Sequence, residues 1–299
     1  MPKILVIIDP EETEHSGLNR VREIPPTADV TYKVDLYIDA VPVMAGSASG
    51  DVLKHRLDEQ RAWLDSLVEP LREVGYKIQT EVIAFTRLYE EIIRSADKFG
   101  ADFVFKPLRQ HGQLKRLFYT STDWNLIRMC KTPLLLVSDQ PSVRGKPVVA
   151  AIDAGDQDKA HITLNEAVLD NAGLLARVLE APVHVLYAYG PAVVASRAAV
   201  ADPFAYQIAR DKYDEEFRTA ERLALAHGIQ PEMVHLREGA PDIVLTDYAS
   251  ETDAGILVLG TVARAGVAGR FIGNTAESTL ERAQCDVFVI KQSDFTPPA

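Results

Sequence analysis

The strongest chemical signal in the chain is one segment, Val258-Leu-Gly260-Thr-Val-Ala263-Arg264-Ala-Gly266-Val-Ala-Gly269-Arg270-Phe-Ile-Gly273-Asn274-Thr275-Ala-Glu277. Its glycines let the backbone approach a ligand closely and adopt positive φ. Gly273 stands directly before a helix start, where unpaired N–H groups and the helix dipole attract an anion. Arg264 and Arg270 could supply countercharge. Those features together describe a phosphate cradle. The same residues also read without a ligand. Asn274 with Glu277 three positions later is a capping-box arrangement, glycine-rich loops often serve as turns, and Arg270 suits a solvated face. Spacing alone leaves both readings open.

Other chemistries are missing from the sequence. No Gly-x4-Gly-Lys-Ser/Thr loop occurs, and no Gly-x-Gly-x-x-Gly follows the first strand. No Gly-x-Ser-x-Gly elbow presents a serine nucleophile. The seven histidines, at 15, 55, 111, 161, 184, 227 and 235, show neither metal-ligand spacing nor pairing with cysteine. His184, inside a buried strand pattern, reads as a core histidine. No catalytic constellation emerges, and the expectation is a protein that is not an enzyme.

The elements that hold the segment come from a plan written twice. Residues 3–9 read Lys-Ile-Leu-Val-Ile-Ile-Asp, and residues 147–153 read Pro-Val-Val-Ala-Ala-Ile-Asp. Each apolar run ends in an aspartate, Asp9 or Asp153. Each half later carries a helix running up to a cysteine, Cys130 or Cys285, and then a final apolar run. A repeat this long is a duplicated domain, because solenoid units have periods of roughly 20–50 residues. At 299 residues, two domains of about 150 match the usual size. The Pro- and Gly-containing stretch 138–147 reads as a linker. The expected domains are 1–140 and 147–294.

The second half is the cleaner copy. Val148–Ile152 is a continuous apolar run, as in a strand covered on both faces. Helical spacing follows over 159–179. A strand Pro182–Tyr189, a helix near 206–227 closed by Gly228, and a strand Met233–Leu236 come next. Pro241 then opens a helix, followed by strand Gly255–Leu259, helix Asn274–Ala283 and strand Val287–Ile290. The first half repeats this order, but Pro25-Pro26 cuts its first crossover helix short. In it, Tyr89, Ile92, Ile93, Ala96 and Phe99 form one apolar stripe, read as core. The alternation implies α/β architecture: two tandem doubly wound domains, each a five-stranded, mostly parallel sheet with helices on both faces. In such sheets the ligand crevice lies at the carboxyl ends of the strands, where strand order reverses.

Composition narrows the class further. The net charge of −11 argues against nucleic-acid or anionic-membrane partners. No apolar run approaches the ~18 residues of a membrane helix. The two cysteines cannot build a disulfide framework, and the N-terminus reads as a strand rather than a signal peptide. A cytoplasmic location is expected.

The residues also carry a family resemblance over essentially the whole chain. Asp9 and Asp153, the Glu238-Gly-Ala-Pro241 helix start, the Leu-Gly-Thr-Val-Ala-Arg-Ala-Gly loop, the Gly273-Asn-Thr-Ala-Glu helix start and Thr122-Asp-Trp124 resemble the tandem universal stress proteins, closest to the E-type two-domain subgroup. In nucleotide-binding members the loop reads Gly-x2-Gly-x9-Gly-Ser/Thr. Gly260 and Gly273 match it, while Ala263 replaces the second glycine and Asn274 the hydroxyl residue. The resemblance implies a site for ATP or a related adenine nucleotide, with no cofactor required. It would be built from Asp153, Gly260, Ala263, Arg264, Gly273, Asn274 and Thr275, with the backbone at Val183–Val185 facing the base. The first copy departs further, with Lys106 read in the place of Gly260 and Thr120 in that of Gly273. There Asp9, Lys106 and Arg109, with His111, Lys115 and Arg116, could hold another anion or form a solvated loop.

Three functions follow as expectations. The first is a non-enzymatic stress-response protein with a nucleotide site in its second domain. The second is a slow ATP hydrolase using Asp153 and the Gly260–Thr275 loop with Mg²⁺. The third is an interaction scaffold for a non-nucleotide small molecule, with residues 192–201 lining its pocket. The expected partners are an intramolecular pseudo-dimer of the two domains and a homodimer.

Overall fold

The computed structural model describes residues 1–12, 14–41, 50–110, 117–156, 158–189, 203–261, 274–292 and 295. The chain divides into two compact units, Met1–Ser142 and Val143–Ala299.

In unit 1 the order is β1 (Lys3–Ile8), α1 (Ser16–Glu23), β2 (Thr31–Asp39), α2 (Gly50–Glu73), β3 (Lys77–Phe85), α3 (Leu88–Phe99), β4 (Phe103–Pro107), β5 (Arg109–Gln110), β6 (Leu117–Phe118), α4 (Ser121–Met129) and β7 (Leu134–Val137). Its strands lie in the order β7-β4-β1-β2-β3, and every neighbour is parallel. Beyond Lys3, every β1 residue is buried, as helices on both faces require. The first crossover helix is short, and a 3-10 turn at Pro26–Ala28 follows it. The expected stripe on α3 buries Ile92 and Ala96 fully, with Ser95 beside them. The segment read as a solvated loop contains a two-stranded antiparallel ladder, β5 with β6.

Unit 2 runs β8 (Val148–Ala151), α5 (Lys159–Leu179), β9 (Val183–Tyr189), α6 (Pro203–Ala226), β10 (Val234–Glu238), α7 (Pro241–Glu251), β11 (Ile256–Thr261), α8 (Asn274–Arg282) and β12 (Asp286–Lys291). The strand order is β10-β9-β8-β11-β12, again parallel throughout. Local chemistry sets several starts. Asp158 caps α5 by accepting from the His161 N–H at 2.8 Å, and Pro241 opens α7, where a missing N–H costs nothing. The edge strand β10 ends in exposed Arg237 and Glu238, charges that discourage further strand pairing.

Both sheets are doubly wound. Strand order reverses between β1 and β4 in unit 1 and between β8 and β11 in unit 2. That reversal marks where each unit opens a crevice beyond the strand ends. No helix among the described residues is long and apolar enough to cross a membrane.

Candidate ligand crevice

Unit 2 holds a cavity of about 380 Å³ at its reversal point. Ala151, Ile152 and Asp153 reach it from the end of β8, and Leu259, Gly260 and Thr261 from the end of β11. Thr275, Ala276 and Thr279 contribute from the first turns of α8. The volume falls within the usual range for small-ligand sites, about 300–1,000 Å³.

Asp153 is held in a two-sided grip. Its N–H donates to Asn165 Oδ1 at 3.0 Å, and its carbonyl accepts from Asn165 Nδ2 at 2.7 Å. A buried side-chain amide thus mimics one more strand residue and ties the end of β8 to α5. The Asp153 carboxylate then turns the chain, because Oδ1 accepts from the N–H groups of Gly155 at 3.0 Å and Asp156 at 3.3 Å. Gly260 has a steric reason to lack a side chain. A Cβ there would lie 2.6 Å from Leu164 Cγ on α5, inside any permitted contact.

Polar groups around the cavity are mostly committed. Tyr187 donates its hydroxyl to the buried Glu216 carboxylate at 3.0 Å. Burial, with the Glu216 charge beside it, raises the Tyr187 pKa. Thr261 donates to the Ile290 carbonyl and Thr279 to the Thr275 carbonyl. His161 also lines the cavity, with Nδ1 at 3.3 Å from Asp156 and 3.0 Å from Asp158. The backbone hydrogen bond from His161 holds the Asp158 carboxyl below its ordinary value. These three side chains could offer metal-ligand atoms within 4.8 Å of one another, but the imidazole between two carboxylates explains the cluster without an ion.

The equivalent place in unit 1 is built differently. Asp9 keeps the turn, with Oδ1 accepting from the Glu11 N–H at 3.0 Å. Sheet register then fixes the correspondence. Leu5 and Val149 each lie four residues before their aspartate, and they pair with Val104 and Leu257 respectively. Counting onward, Lys106 matches Leu259 and Pro107 matches Gly260. Lys106 therefore does not stand in the place of Gly260, as expected from the sequence; the register is one residue away. Asp123 is the third residue of α4 and Ala276 the third of α8. Leu259 and Ala276 line the unit 2 cavity. Their counterparts form an ion pair, Lys106 Nζ to Asp123 Oδ1 at 2.8 Å, with Asp123 fully buried. Lys106 also donates to the Pro107 carbonyl at 2.7 Å. Asp123 completes a capping box with Thr120, accepting from its N–H and its hydroxyl. Nearby, burial raises the Glu12 pKa, and its carboxylate accepts from Ser16 Oγ at 3.0 Å.

Comparison with known proteins agrees with this doubled architecture. The family model described as the universal stress protein family matches residues 1–138 and again 145–291. The chain belongs to the universal stress protein family. It is 28% identical over 309 aligned positions to universal stress protein E of Escherichia coli K12, covering 99% of this chain and 95% of that protein. A crystal structure of a functionally unknown Pseudomonas aeruginosa PAO1 protein superposes with a TM-score of 0.79 at 26% identity, covering 98% of this chain and 93% of that one. A universal stress protein from Archaeoglobus fulgidus shares the fold, with a TM-score of 0.64 at 19% identity, covering 97% and 98%. The chain is thus a tandem universal stress protein of the E type, with that family's role in the stress response.

In this universal stress protein the structure brings Asp153, Gly260 and Thr275 around one cavity. Val183 is placed elsewhere. It pairs with Val148 at the start of β8, the opposite end of the ladder from Asp153. Ala263, Arg264 and Gly273 lie outside the described residues, as do 192–201, His111, Lys115 and Arg116. Asn274 opens α8, and Arg109 opens β5. Sequence reasoning missed Asn165, His161, Tyr187 and Glu216. Tyr187 had a faint signal, a polar tip inside the strand Val-His-Val-Leu-Tyr-Ala-Tyr. His184, the expected core histidine, is half-buried and hydrogen-bonded to the Tyr248 hydroxyl at 2.8 Å.

Proposed function

We propose that unit 2 is the ligand-responsive half of a non-enzymatic stress-response protein and takes ATP or a related adenine nucleotide. One observation carries this reading: the 380 Å³ cavity at the strand reversal of unit 2, where the unit 1 counterparts of Leu259 and Ala276 are instead a buried ion pair, Lys106 with Asp123. An open crevice at the carboxyl ends of parallel strands, beside a helix start, is where such folds bind phosphorylated ligands. Apolar side chains at Ile152, Leu164 and Val168 suit the face of a base, and the start of α8 suits the phosphates. Binding without turnover is supported by the hydroxyls. Thr261 and Thr279 both commit their protons to carbonyl oxygens. The two thiols, Cys130 and Cys285, are buried and form no disulfide, which supports a reducing, cytoplasmic setting.

Isothermal titration of the full chain with ATP, ADP and AMP tests the reading. Saturable binding with one site per chain is expected for at least one of the three. A folded protein that gives no heat with any of them refutes it.

A further inference from the structure

We propose that Asp153 and Tyr187, with Glu216 behind the tyrosine, read the vicinal hydroxyls of a ribose, so that the unit 2 cavity separates ribonucleotides from 2′-deoxyribonucleotides. This rests on the nucleotide reading above and adds which part of the ligand each end takes.

Three oxygens converge beside Gly155. A Cβ built on Gly155 would lie 2.7 Å from the Tyr187 hydroxyl, 3.1 Å from Glu216 Oε1 and 3.4 Å from Asp153 Oδ1. All three therefore surround a single point, and position 155 has no room for a side chain there. The proton inventory of this corner is short. Tyr187 has one proton, and it goes to Glu216 Oε2. Glu216 is only 7% exposed, so its carboxylate needs that donor. A tyrosine whose proton is committed offers a partner nothing but lone pairs. The Asp153 carboxylate is likewise an acceptor. Lys212 lies 3.5 Å from Glu216 Oε1 with most of its side chain in solvent, and it is not among the residues lining the cavity. Among the described residues, the side chains of Asp153, Tyr187 and Glu216 that form this corner present acceptors to a ligand and no free donor.

An adenine nucleotide has one group that fits. Phosphates are repelled by the two carboxylates. The polar edge of adenine alternates its amino donor with ring nitrogens, which would set lone pairs against lone pairs. The two hydroxyls of ribose can both turn their protons outward. The sugar therefore belongs at Asp153 and Tyr187, with the phosphates directed away from them, toward the start of α8. Glu216 acts as a positioning residue, since it touches the tyrosine and fixes which way the tyrosine proton points.

Calorimetric titration of the full chain with ATP and with 2′-deoxyATP tests the assignment. Wild type is expected to hold ATP about tenfold more tightly, the worth of one good hydrogen bond. Tyr187→Phe should bring the ratio to near one by weakening ATP, leaving 2′-deoxyATP within about twofold of wild type, because the lost contact is made by the missing hydroxyl. Since Tyr187→Phe leaves Glu216 without its donor, the double variant Tyr187→Phe/Glu216→Leu removes the orphaned charge as well and should give the same ratio. Equal affinities in wild type, or a ribose preference that survives both variants, overturns this inference and leaves the nucleotide reading standing. No heat with either nucleotide overturns both.

Discussion

Replacing Lys106 by methionine removes a cation from a site where its partner cannot reach water. The Asp123 side chain is fully buried and the Lys106 side chain 9% exposed. Breaking such a pair by deleting one member leaves an uncompensated buried charge and costs about 3–5 kcal/mol. Removing both members relieves that charge. In Lys106→Met/Asp123→Ala the principal remaining loss is the capping box on α4, about 1 kcal/mol. The double variant is thus expected to be about 2–4 kcal/mol more stable than Lys106→Met, a coupling large enough to measure in a double-mutant cycle. For a unit of this size the single variant should lose roughly 10 °C in Tm, and the double variant should recover most of it. Both tryptophans, Trp63 and Trp124, lie in unit 1, and Trp124 adjoins Asp123. Tryptophan fluorescence during urea unfolding therefore follows the unfolding of unit 1 directly. A Lys106→Met midpoint shift worth less than about 1 kcal/mol, or a double variant no better than the single, refutes the claim that this buried ion pair stabilises unit 1.

Three further outcomes are expected. Gly260→Ala should destabilise unit 2 by about 1–3 kcal/mol through overpacking against Leu164, seen by far-UV circular dichroism, and Leu164→Ala should partly rescue it; an unaffected single variant would contradict the close approach. Unit 2 should weaken as pH falls below the ordinary histidine value of about 6.5, because burial lowers the pKa of both His184 and His235. Histidines kept neutral when folded take up protons first in the unfolded chain, so stability is lost on the acid side; denaturation midpoints between pH 7.5 and 5.5 should fall more in wild type than in His235→Asn, and equal slopes would refute the assignment. Burial pushes the Cys285 thiol up to about 12, so a thiol reagent at pH 8 should modify it only at the rate of unfolding; rapid labelling of the native chain at this cysteine would show the site is open.

Much of the architecture was legible because parallel strands covered on both faces appear as unbroken apolar runs. Residues 4–8 and 148–152 are such runs, and each is followed directly by the aspartate that turns the chain. Gly260 and Thr275 were legible because a strand end and a helix start flank one glycine-rich segment. Tertiary pairings were not. Glu216 reaches Tyr187 across 29 residues of sequence, and Asn165 reaches Asp153 across 12, with no periodicity to announce either. The place of Lys106 came out one residue wrong because only the ladder register with β1, not the loop spacing, fixes the match. Val183 was displaced for a related reason: a parallel strand offers its carboxyl end to the crevice, and Val183 sits at the amino end of β9.

The buried ion pair of Lys106 and Asp123 in unit 1, where unit 2 has its cavity lining, has a consequence for stoichiometry. On the proposed reading, in which unit 2 alone takes the nucleotide, the chain offers a guest a single seat. Saturation of an isolated chain should then trace a plain hyperbola with a Hill coefficient of one, since two seats on one polypeptide are the minimum for cooperativity within it. Such a chain reports the level of its ligand in graded fashion, and any sharper response would have to arise between molecules.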